Sequence, residues 1–452
     1  MNNTARIHTA PAIGLVVLGC DKNTADAERL AGMLSGHLPA RTAIHGLAPD
    51  ADNIPRLDAV VIYTCAFIHD AKEESVETIL AWCARKTETG NPRRVYVAGC
   101  LSQRHGEALT EEIPEVDGFF GVSDITTLVE TLCDAPRPTE MDIAAPVRRR
   151  LDDKPHAFLK IADGCNHACA FCVIPHIKGP FHSTPRETLL ADARELVKQG
   201  ARELTLVAQD TTAYGRDLYP DYRLPELLRD LCALPGDFWV RCLYCYPGGV
   251  TDALIEQMAT QPKIAPYLDM PLQHVSPSVL HAMKRPAPEQ DIVALVARLR
   301  AALPNLALRT TMLVGFPGES GADHRMMLDA VREIAFEWLG AFIFCPEEGA
   351  PAATMAAPVP EAIARKRFEA LMELQAEITA RFNKSREGQQ TRALVENYDP
   401  DLNAWTARSV AEAPDVDGAV LIYPHPSLKQ GAFADVEFIN ASLYDITARV
   451  VE

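Results

Sequence analysis

Short β-branched apolar runs alternate with helical stretches along most of this 452-residue chain. In the first third, three such runs each end at a cysteine: "LVVLGC" at Cys20, "VVIYTC" at Cys65 and "VYVAGC" at Cys100. A continuous apolar run of this length is typical of a strand buried on both faces of a parallel sheet. The carboxyl ends of such strands share one edge of the sheet, so we expect the three cysteines to meet there.

The middle of the chain repeats the alternation. Its six candidate strands are "AFLKIA" from Ala157, "ELTLVAQ" from Glu203, "WVRCLY" from Trp239, "YLDMPLQ" from Tyr267, "LRTTMLVGF" from Leu308 and "GAFIFC" from Gly340. Thr184 is predicted to cap the first intervening helix, with Pro185 at its first position. Glu187 would complete a capping box, and Gly200 would end the helix. Six β/α units predict an incomplete, TIM-like (β/α)6 barrel with its chemistry at the strand carboxyl ends.

A different pattern follows the barrel. Apolar side chains at three- and four-residue steps, including Phe368, Leu371 and Phe382, predict a long amphipathic helix. Beyond it, Val436 and Phe438 alternate with acidic residues, which predicts a small antiparallel β-barrel. The fold class is therefore a multidomain α/β protein. The predicted boundaries are 10–135 for the parallel α/β domain, 136–155 for a proline-rich linker, 156–384 for the partial barrel with its connecting helix, and 385–452 for the small β-barrel.

Composition limits the class of protein. The net charge of −17 argues against non-specific binding to a phosphate backbone, which relies on Lys and Arg. No apolar run approaches the roughly 20 residues that span a bilayer, and the first residues carry no secretory signal. We therefore expect a cytoplasmic protein that does not bind membranes, whose twelve cysteines are metal ligands or buried thiols rather than disulfides.

Three cysteines follow the first barrel strand in "DGCNHACAFCVIP": Cys165, Cys169 and Cys172, in the C-x3-C-x2-C spacing. A loop with such short spacings can wrap an iron–sulfur cluster. Three thiolates on a four-iron cluster leave one iron open for a substrate or a cofactor. A structural zinc site with His167 or His176 as a ligand is the alternative.

This loop on a partial barrel resembles the radical S-adenosylmethionine enzymes. The resemblance implies that the open iron binds the amino and carboxylate groups of S-adenosylmethionine, whose reductive cleavage yields a 5′-deoxyadenosyl radical. It also implies that Phe171, between the last two cysteines, lies near the adenine. Simple packing under the loop is the other interpretation of Phe171.

The resemblance extends over nearly the whole chain to the methylthiotransferase family, through "LGCDKN", "YTCAFIHDAKEES", "VAGCLSQR", "LKIADGC", "LVAQDTTAYG", "PLQHVS", "VGFPGE" and "ARSVAEAPDVDGAV". In that family a domain with an auxiliary iron–sulfur cluster precedes the radical barrel, and a small β-barrel called a TRAM domain follows it. The family's three auxiliary ligands match Cys20, Cys65 and Cys100. Buried thiol packing is the structural alternative for these three.

Further cofactor contacts are predicted at three strand ends. The candidates are Gln209, Asp210, Gln273, His274, Gly315, Gly318 and Glu319. The two glycines either admit the cofactor close to the backbone or simply make a turn. The remaining cysteines, including the C-x2-C pair Cys242 and Cys245, lack such a context and are interpreted as packing.

Three features favour the RimO-type branch of the family, which modifies the β-carbon of an aspartate in ribosomal protein S-twelve. Glu347 and Glu348 stand where the MiaB-type branch, which modifies an adenosine derivative in transfer RNA, tends to have Arg-Pro. Residues 386–452 hold five Lys or Arg against eleven Asp or Glu, a balance of −6 that suits a basic protein partner. The segment "ARSVAEAPDVDGAV" also resembles this branch. The chain departs from the family at Lys178, His182 and Thr184, where arginine is more common, and at Ala168, where a basic residue is common.

The resemblance implies two 4Fe–4S clusters and two S-adenosylmethionines per turnover. One S-adenosylmethionine methylates a sulfur at the auxiliary cluster, and the other supplies the radical, so no acid or base side chain has to break the C–H bond. The expected partners are ribosomal protein S-twelve or the assembling small subunit, an electron donor and a sulfur donor, with nucleic acid only as part of the ribosome. The alternatives are a transfer-RNA methylthiotransferase and a non-catalytic iron–sulfur carrier or scaffold.

Overall fold

The computed structural model describes residues 12–39, 42–133, 148–285 and 291–451. The chain forms two compact units, Met1–Asp153 with His176–Lys178, and Lys154–Pro175 with Gly179–Glu452. Residues 136–147 of the predicted linker lie outside the described residues, as do 10, 11, 134, 135 and 452 at the ends of the predicted domains. None of the described helices is long and apolar enough to cross a bilayer.

The first unit contains a five-stranded parallel sheet in the order β2-β1-β3-β4-β5. Its elements are β1 (Ala12–Val17), α1 (Asp21–His37), β2 (Ala43–Leu47), β3 (Ala59–Thr64), α2 (His69–Thr89), β4 (Val95–Gly99), α3 (Cys100–Glu112), β5 (Gly118–Phe120) and α4 (Ile125–Cys133). The three strands predicted from apolar runs are confirmed as β1, β3 and β4, which are central and almost wholly buried. The pattern missed β2 because a histidine and a glycine interrupt it, and β5 because it has only three residues.

The second unit contains a six-stranded parallel sheet whose strand order follows the chain. Its strands are β6 (His156–Lys160), β9 (Glu203–Val207), β10 (Trp239–Cys242), β11 (Ile264–Asp269), β12 (Ala307–Val314) and β13 (Trp338–Ile343). A two-stranded hairpin of β7 (Ala162–Asp163) and β8 (His182–Ser183) follows β6. All six predicted strands are confirmed, and their sequential order is that of a partial (β/α) barrel.

Helices cover one face of this sheet. They are α6 (Arg186–Lys198), α7 (Leu224–Cys232), α8 (Asp252–Thr260), α10 (Ile292–Ala302) and α11 (Gly321–Ile334). Two shorter helices lie in connections, α5 (Ile174–Lys178) between β7 and β8, and α9 (Pro277–Ala282) between β11 and α10. Leu204 and Leu206 of β9 pack against helix residues such as Leu189. Cys242 and Cys245 belong to the same apolar core, which confirms their interpretation as packing residues. Cys345 differs from that interpretation because it is exposed.

The capping box predicted for the first helix of the barrel is wrong. The helix begins at Arg186, one residue later than predicted, and Pro185 rather than Thr184 occupies the N-cap position without a side-chain cap. Thr184 instead continues the extended segment, because its backbone N–H donates to Ile161 O at 2.8 Å. The predicted stop is confirmed, since Gly200 adopts a left-handed φ of 101° just after the helix.

The predicted long helix is α12 (Glu361–Arg386), and it leads into a closed five-stranded barrel. The barrel strands are β14 (Gln390–Asp399), β15 (Ala404–Arg408), β16 (Val420–Ile422), β17 (Phe433–Ala441) and β18 (Ile446–Val450). The prediction of a small β-barrel is confirmed with one difference. β16 and β18 pair in parallel, because β18 inserts between β16 and β17.

The segment between β15 and β16 packs on the other face of the six-stranded sheet, where Phe382 of α12 also packs. Its Ala411 and Ala413 lie among Tyr267, Trp338 and other side chains of that face. Trp338 Nε1 donates to Ala411 O at 2.7 Å. This segment is the "ARSVAEAPDVDGAV" motif, so in the structure it anchors the small barrel to the sheet.

A buried ionic cluster strengthens the same junction. The Glu203 carboxylate lies 2.7 Å from Arg241 Nε and 2.8 Å from Arg408 Nη1, and all three side chains are almost completely buried. Burial alone would raise the pKa of Glu203, but the two guanidinium groups lower it far below its ordinary range. The carboxylate therefore stays charged inside the protein.

Candidate functional site

The cysteines Cys165, Cys169 and Cys172, together called the loop site, lie in the connection between β7 and β8. Gly164 begins this connection with a left-handed φ of 72°, and an added Cβ would fall 2.1 Å from Pro180 O. Only glycine fits both constraints. The Cys165 N–H donates to Gly179 O at 3.2 Å and closes the loop on itself.

Each sulfur of the loop site has an N–H group near it. The backbone N–H of His167 donates to Cys165 Sγ at 3.4 Å, and that of Ile174 donates to Cys172 Sγ at 3.4 Å. Cys169 Sγ lies 3.9 Å from a guanidinium nitrogen, Nη1 of Arg285. N–H groups aimed at sulfur are a common way for proteins to stabilise bound iron–sulfur clusters.

Burial keeps two of the free thiols of the loop, those of Cys165 and Cys172, protonated. It raises the pKa of Cys165, and it raises the pKa of Cys172 to about 12. Metal binding requires thiolates, so loading this site would release protons. In a four-iron cluster each thiolate binds its own iron, and three cysteines in the C-x3-C-x2-C spacing suit such a cluster.

His167 is committed to another partner. Its Nε2 lies 2.7 Å from Asp210 Oδ2, and its ring stacks on Tyr246 with centroids 4.4 Å apart. Asp210 also accepts from the N–H and the hydroxyl of Thr212. Burial alone would raise the pKa of Asp210, but the bonds from His167 and Thr212 lower it. His167 therefore supports the loop through Nε2, and Asp210 holds it in place.

Other predicted contacts lie at neighbouring strand ends. Gln209 carries an amide oxygen that is buried and has no hydrogen-bond partner among the described residues. Gln273 has a φ of 71°, a conformation that non-glycine residues rarely adopt and that often marks functional sites. Its backbone bridges to Thr311 and Leu313 on β12. Both glutamines fit a polar ligand at the carboxyl ends of the sheet.

The "VGFPGE" turn is held by its own glutamate. The buried Glu319 carboxylate accepts from the Gly315 N–H and lies 3.3 Å from Arg367. Its other oxygen lies 3.9 Å from Nε2 of His274, which is also buried. Gly315 packs closely, since an added Cβ would fall 2.7 Å from Ala364 Cβ, whereas Gly318 faces open space. These contacts support the turn, and direct cofactor binding by these residues stays a prediction.

Phe171 and the two glutamates differ in exposure. Phe171 is half-buried and packs on a cluster that includes Ala170 and Phe316, which fits its interpretation as a packing residue beneath the loop. Glu347 is buried and Glu348 is exposed, so only the second is a plain surface charge.

The cysteines Cys20, Cys65 and Cys100, together called the edge site, follow three neighbouring strands of the first unit. The pairings Val17↔Tyr63 and Thr64↔Gly99 align the strand ends. The order of the sheet reverses between β1 and β3, and open α/β sheets bind ligands at such points. The expected convergence at one edge is confirmed by this register.

Close packing defines the edge site. An added Cβ on Gly19 would fall 2.7 Å from Cys65 Cβ. Burial raises the pKa of Cys65, and the neighbouring Cys20 raises it further. Cys20 is exposed, Cys65 is partly exposed and Cys100 is buried, so the thiols are not simply core residues. Their chemistry and open outer side fit an iron–sulfur cluster with one iron free.

Sequence reasoning missed several residues that support these sites. Tyr246, Arg285 and Thr212 contact the loop site or its supporting residues, and Asn23 contacts the edge site. Arg285 follows the "PLQHVS" motif by several residues, but nothing in its spacing points to Cys169. Only the fold brings them together.

Three family models match the chain. The Radical SAM superfamily matches residues 159–331, Uncharacterized protein family UPF0004 matches 12–121, and the TRAM domain matches 388–451. These segments correspond to the six-stranded sheet with its helices, the first unit and the small β-barrel.

Curated relatives match over almost their full length. The chain is 37% identical to the ribosomal protein uS12 methylthiotransferase RimO of Desulfitobacterium hafniense, with 97% of this chain and 98% of the relative covered. It is 40% identical to the protein of the same name from Moorella thermoacetica, with 97% and 99% covered.

Solved structures share the fold at low identity. The radical S-adenosylmethionine methyltransferase TsrM from Kitasatospora setae has a TM-score of 0.57 at 15% identity, with 76% of this chain and 77% of that chain covered. The cobalamin-dependent enzyme OxsB has a TM-score of 0.51 at 14% identity, with 82% and 56% covered.

Proposed function

We propose that this chain, which belongs to the family of ribosomal protein uS12 methylthiotransferases, transfers a methylthio group to the β-carbon of an aspartate in uS12. It is an enzyme of the radical S-adenosylmethionine methylthiotransferase kind. We further propose that one turnover uses two 4Fe–4S clusters and two S-adenosylmethionines. The loop site would hold one cluster and the edge site the other.

The observation that carries the proposal is the pair of three-cysteine sites at the carboxyl ends of two parallel sheets. Each site offers one ligand fewer than a four-iron cluster needs, which leaves an iron for an external group. An electron carrier would close its clusters with four protein ligands. The pair of incomplete sites therefore favours catalysis over a carrier or scaffold.

The cofactors supply the difficult chemistry, a carbon-centred radical from S-adenosylmethionine and a methylated sulfur. The protein side chains hold and orient them. An aspartate β-carbon has C–H bonds too weakly acidic for a side-chain base, and general acid–base catalysis gives only modest help. Gln209 and Gln273 are proposed to bind S-adenosylmethionine at the strand ends, and Phe171, Asp210, His274, Gly315, Gly318 and Glu319 remain further candidates.

The domains are proposed to divide the work along the predicted boundaries. Residues 10–135 would carry the auxiliary cluster, 156–384 the radical chemistry and 385–452 the contact with the substrate protein. The partners would include an electron donor and a sulfur donor, and the reaction would take place in the cytoplasm on the free ribosomal protein or an assembling subunit.

The charge of the small barrel supports a basic protein partner, though less strongly than its composition suggests. Asp417 bonds Tyr267 Oη at 2.6 Å, and Glu412 pairs with the buried Arg386. These acids stabilise the protein interior rather than its surface. Others, including the exposed Asp401 and Asp435, remain on the surface of the small barrel to meet a partner.

The decisive experiment compares cells with and without this gene by mass spectrometry. We expect one methylthio group to be lost from the uS12 peptide while transfer-RNA nucleosides keep theirs. Restoring the gene should restore the group, whereas a copy with Cys165→Ala should not. Loss from transfer RNA instead would overturn the ribosomal assignment and favour the transfer-RNA branch.

A further inference from the structure

Arg285 lies beside the loop site and is fixed from three sides. Its Nη1 lies 3.9 Å from Cys169 Sγ, and its Nη2 donates to Pro271 O at 2.8 Å. Its guanidinium carbon lies 5.0 Å from the centre of the Tyr246 ring. The guanidinium is half-buried, so its charge is screened less than that of a surface arginine. Its position is set before any cofactor binds.

The three sulfurs of the loop receive different donors. Cys165 and Cys172 accept from backbone N–H groups, both at 3.4 Å, which any side chain at the donor positions would provide. The donor to the third sulfur, Cys169, is a charged side chain. Among the three donors to sulfur, Arg285 is thus the one that the amino-acid sequence, rather than the backbone, supplies.

A carboxylate also contacts the loop. Asp210 holds His167, whose ring stacks on one side of Tyr246, while Arg285 lies against the same ring. The chain of contacts from Asp210 to Arg285 places a negative and a positive group around one set of cysteines. Without the guanidinium, the carboxylate would remain as the nearer charge and would oppose any added electron.

We propose that Arg285 is a positioning residue that donates to the Cys169 sulfur and thereby raises the reduction potential of the loop cluster. The inference rests on the proposed function, because it requires a cluster on the loop site. Reduction transfers one electron from the electron donor to the cluster, and no bond forms or breaks at Arg285. The fixed cation stabilises the more negative, reduced cluster more than the oxidised one. Hydrogen bonds to the sulfurs are a recognised determinant of such potentials.

The test is a redox titration of the full-length reconstituted enzyme, followed by electron paramagnetic resonance. The signal to follow is the one that changes when S-adenosylmethionine is added, which distinguishes the loop cluster from the other. The variants are Arg285→Gln, which removes the charge, and Arg285→Lys, which keeps it without the planar pair of donors. Arg298→Gln is the control, since Arg298 lies on α10 and pairs with Asp252 at 3.3 Å. Iron content is measured for each protein.

Arg285→Gln should lower the ratio of reduced to oxidised cluster about tenfold at a fixed potential, a shift of about 59 mV for one electron. Arg285→Lys should show a smaller shift, and the control none. An unchanged potential in a fully loaded Arg285→Gln protein would overturn the inference. If the Arg285→Gln protein does not retain iron, an unchanged reduction potential in Arg285→Lys would overturn the inference. Loss of iron from both variants would also overturn it, because Arg285 would then be needed for cluster assembly. A wild-type protein without a signal that responds to S-adenosylmethionine would contradict the proposed function itself.

Discussion

The loop site and the edge site each contain three cysteines but are built in opposite ways. The loop site occupies eight consecutive residues, Cys165 to Cys172, and is closed by one short hairpin. The edge site draws its cysteines from the ends of three strands that are far apart in sequence. The first depends on local backbone geometry, whereas the second depends on the order and register of an entire sheet.

This difference predicts how each site fails. A single change in the loop disturbs three ligands at once and leaves the sheet intact. A change at the edge has to loosen the strand ends before it separates the cysteines. Substitutions directed at one site should therefore leave the other functional.

The largest effects are expected from the cysteines themselves. Cys165→Ala should abolish reductive cleavage of S-adenosylmethionine, because the loop cluster loses a ligand. Cys20→Ala should leave that cleavage largely intact and abolish sulfur insertion. Each variant should lose about half of the bound iron. The measurements are 5′-deoxyadenosine formation, methylthio product by mass spectrometry and iron content.

Cys242→Ala is the control, because this thiol lies in the apolar core of the barrel away from both sites. It should keep its iron and both activities. If Cys20→Ala abolished cleavage as completely as Cys165→Ala, the proposed division of labour between the two sites would be wrong.

The next effect concerns the glycines that shape each site. Gly164→Ala places a Cβ 2.1 Å from Pro180 O at a φ of 72°, so the loop has to shift. We expect the free energy of unfolding to fall by about 3 kcal/mol. The protein should lose the loop cluster and keep the edge cluster. Gly99→Ala, whose Cβ would fall 2.9 Å from Thr64 O, should show the reverse pattern. Iron content and 5′-deoxyadenosine formation measure both.

Gly200→Ala is the matched control. It has a left-handed φ of 101°, but nothing lies within 4 Å of an added Cβ. The substitution should lower the free energy of unfolding by about 1 kcal/mol, because of the backbone conformation alone. The protein should keep both clusters. Equal iron loss in Gly164→Ala and Gly200→Ala would show that backbone conformation, rather than the contact with Pro180, governs the loop.

The same difference explains which features the sequence could predict. The ligands of the loop site follow from their spacing, and the strands before the edge site follow from their apolar runs. The convergence of Cys20, Cys65 and Cys100 could be expected from parallel strands, but the β2-β1-β3-β4-β5 order, which puts them at a switch point, could not.

Features that depend on contacts between distant segments were missed. Thr184 has the sequence of an N-cap, yet a backbone bond to Ile161 keeps it extended. Asp210 and Glu319 were predicted from their positions at strand ends, and the structure shows them holding His167 and the Gly315 turn. Arg285 had no local signal at all. Tertiary contacts determine these roles, and such contacts between distant segments cannot be inferred from a single sequence.

The smallest predicted effect tests whether register holds the edge site. Asn23 of α1 is buried, and its Nδ2 donates to Leu18 O at 2.8 Å and to Thr64 O at 3.2 Å, which links the ends of β1 and β3. Asn23→Ala leaves these two carbonyl oxygens without their donor and should lower the free energy of local opening by about 2 kcal/mol. Amide exchange at Leu18, whose N–H bonds Tyr63 O, should then be about 30-fold faster.

Ser35→Ala on the same helix is the control, because Ser35 is exposed and bonds to Ala31 of the helix and to Arg149. It should leave exchange at Leu18 unchanged. Because Asn23 touches two of the three strand ends that carry the cysteines, Asn23→Ala should also release iron from the edge site faster under a chelator, while the loop site keeps its own. Equal retention at both sites would mean that the cluster, once bound, holds the strand ends together without the amide, and that the register matters for assembly rather than for stability.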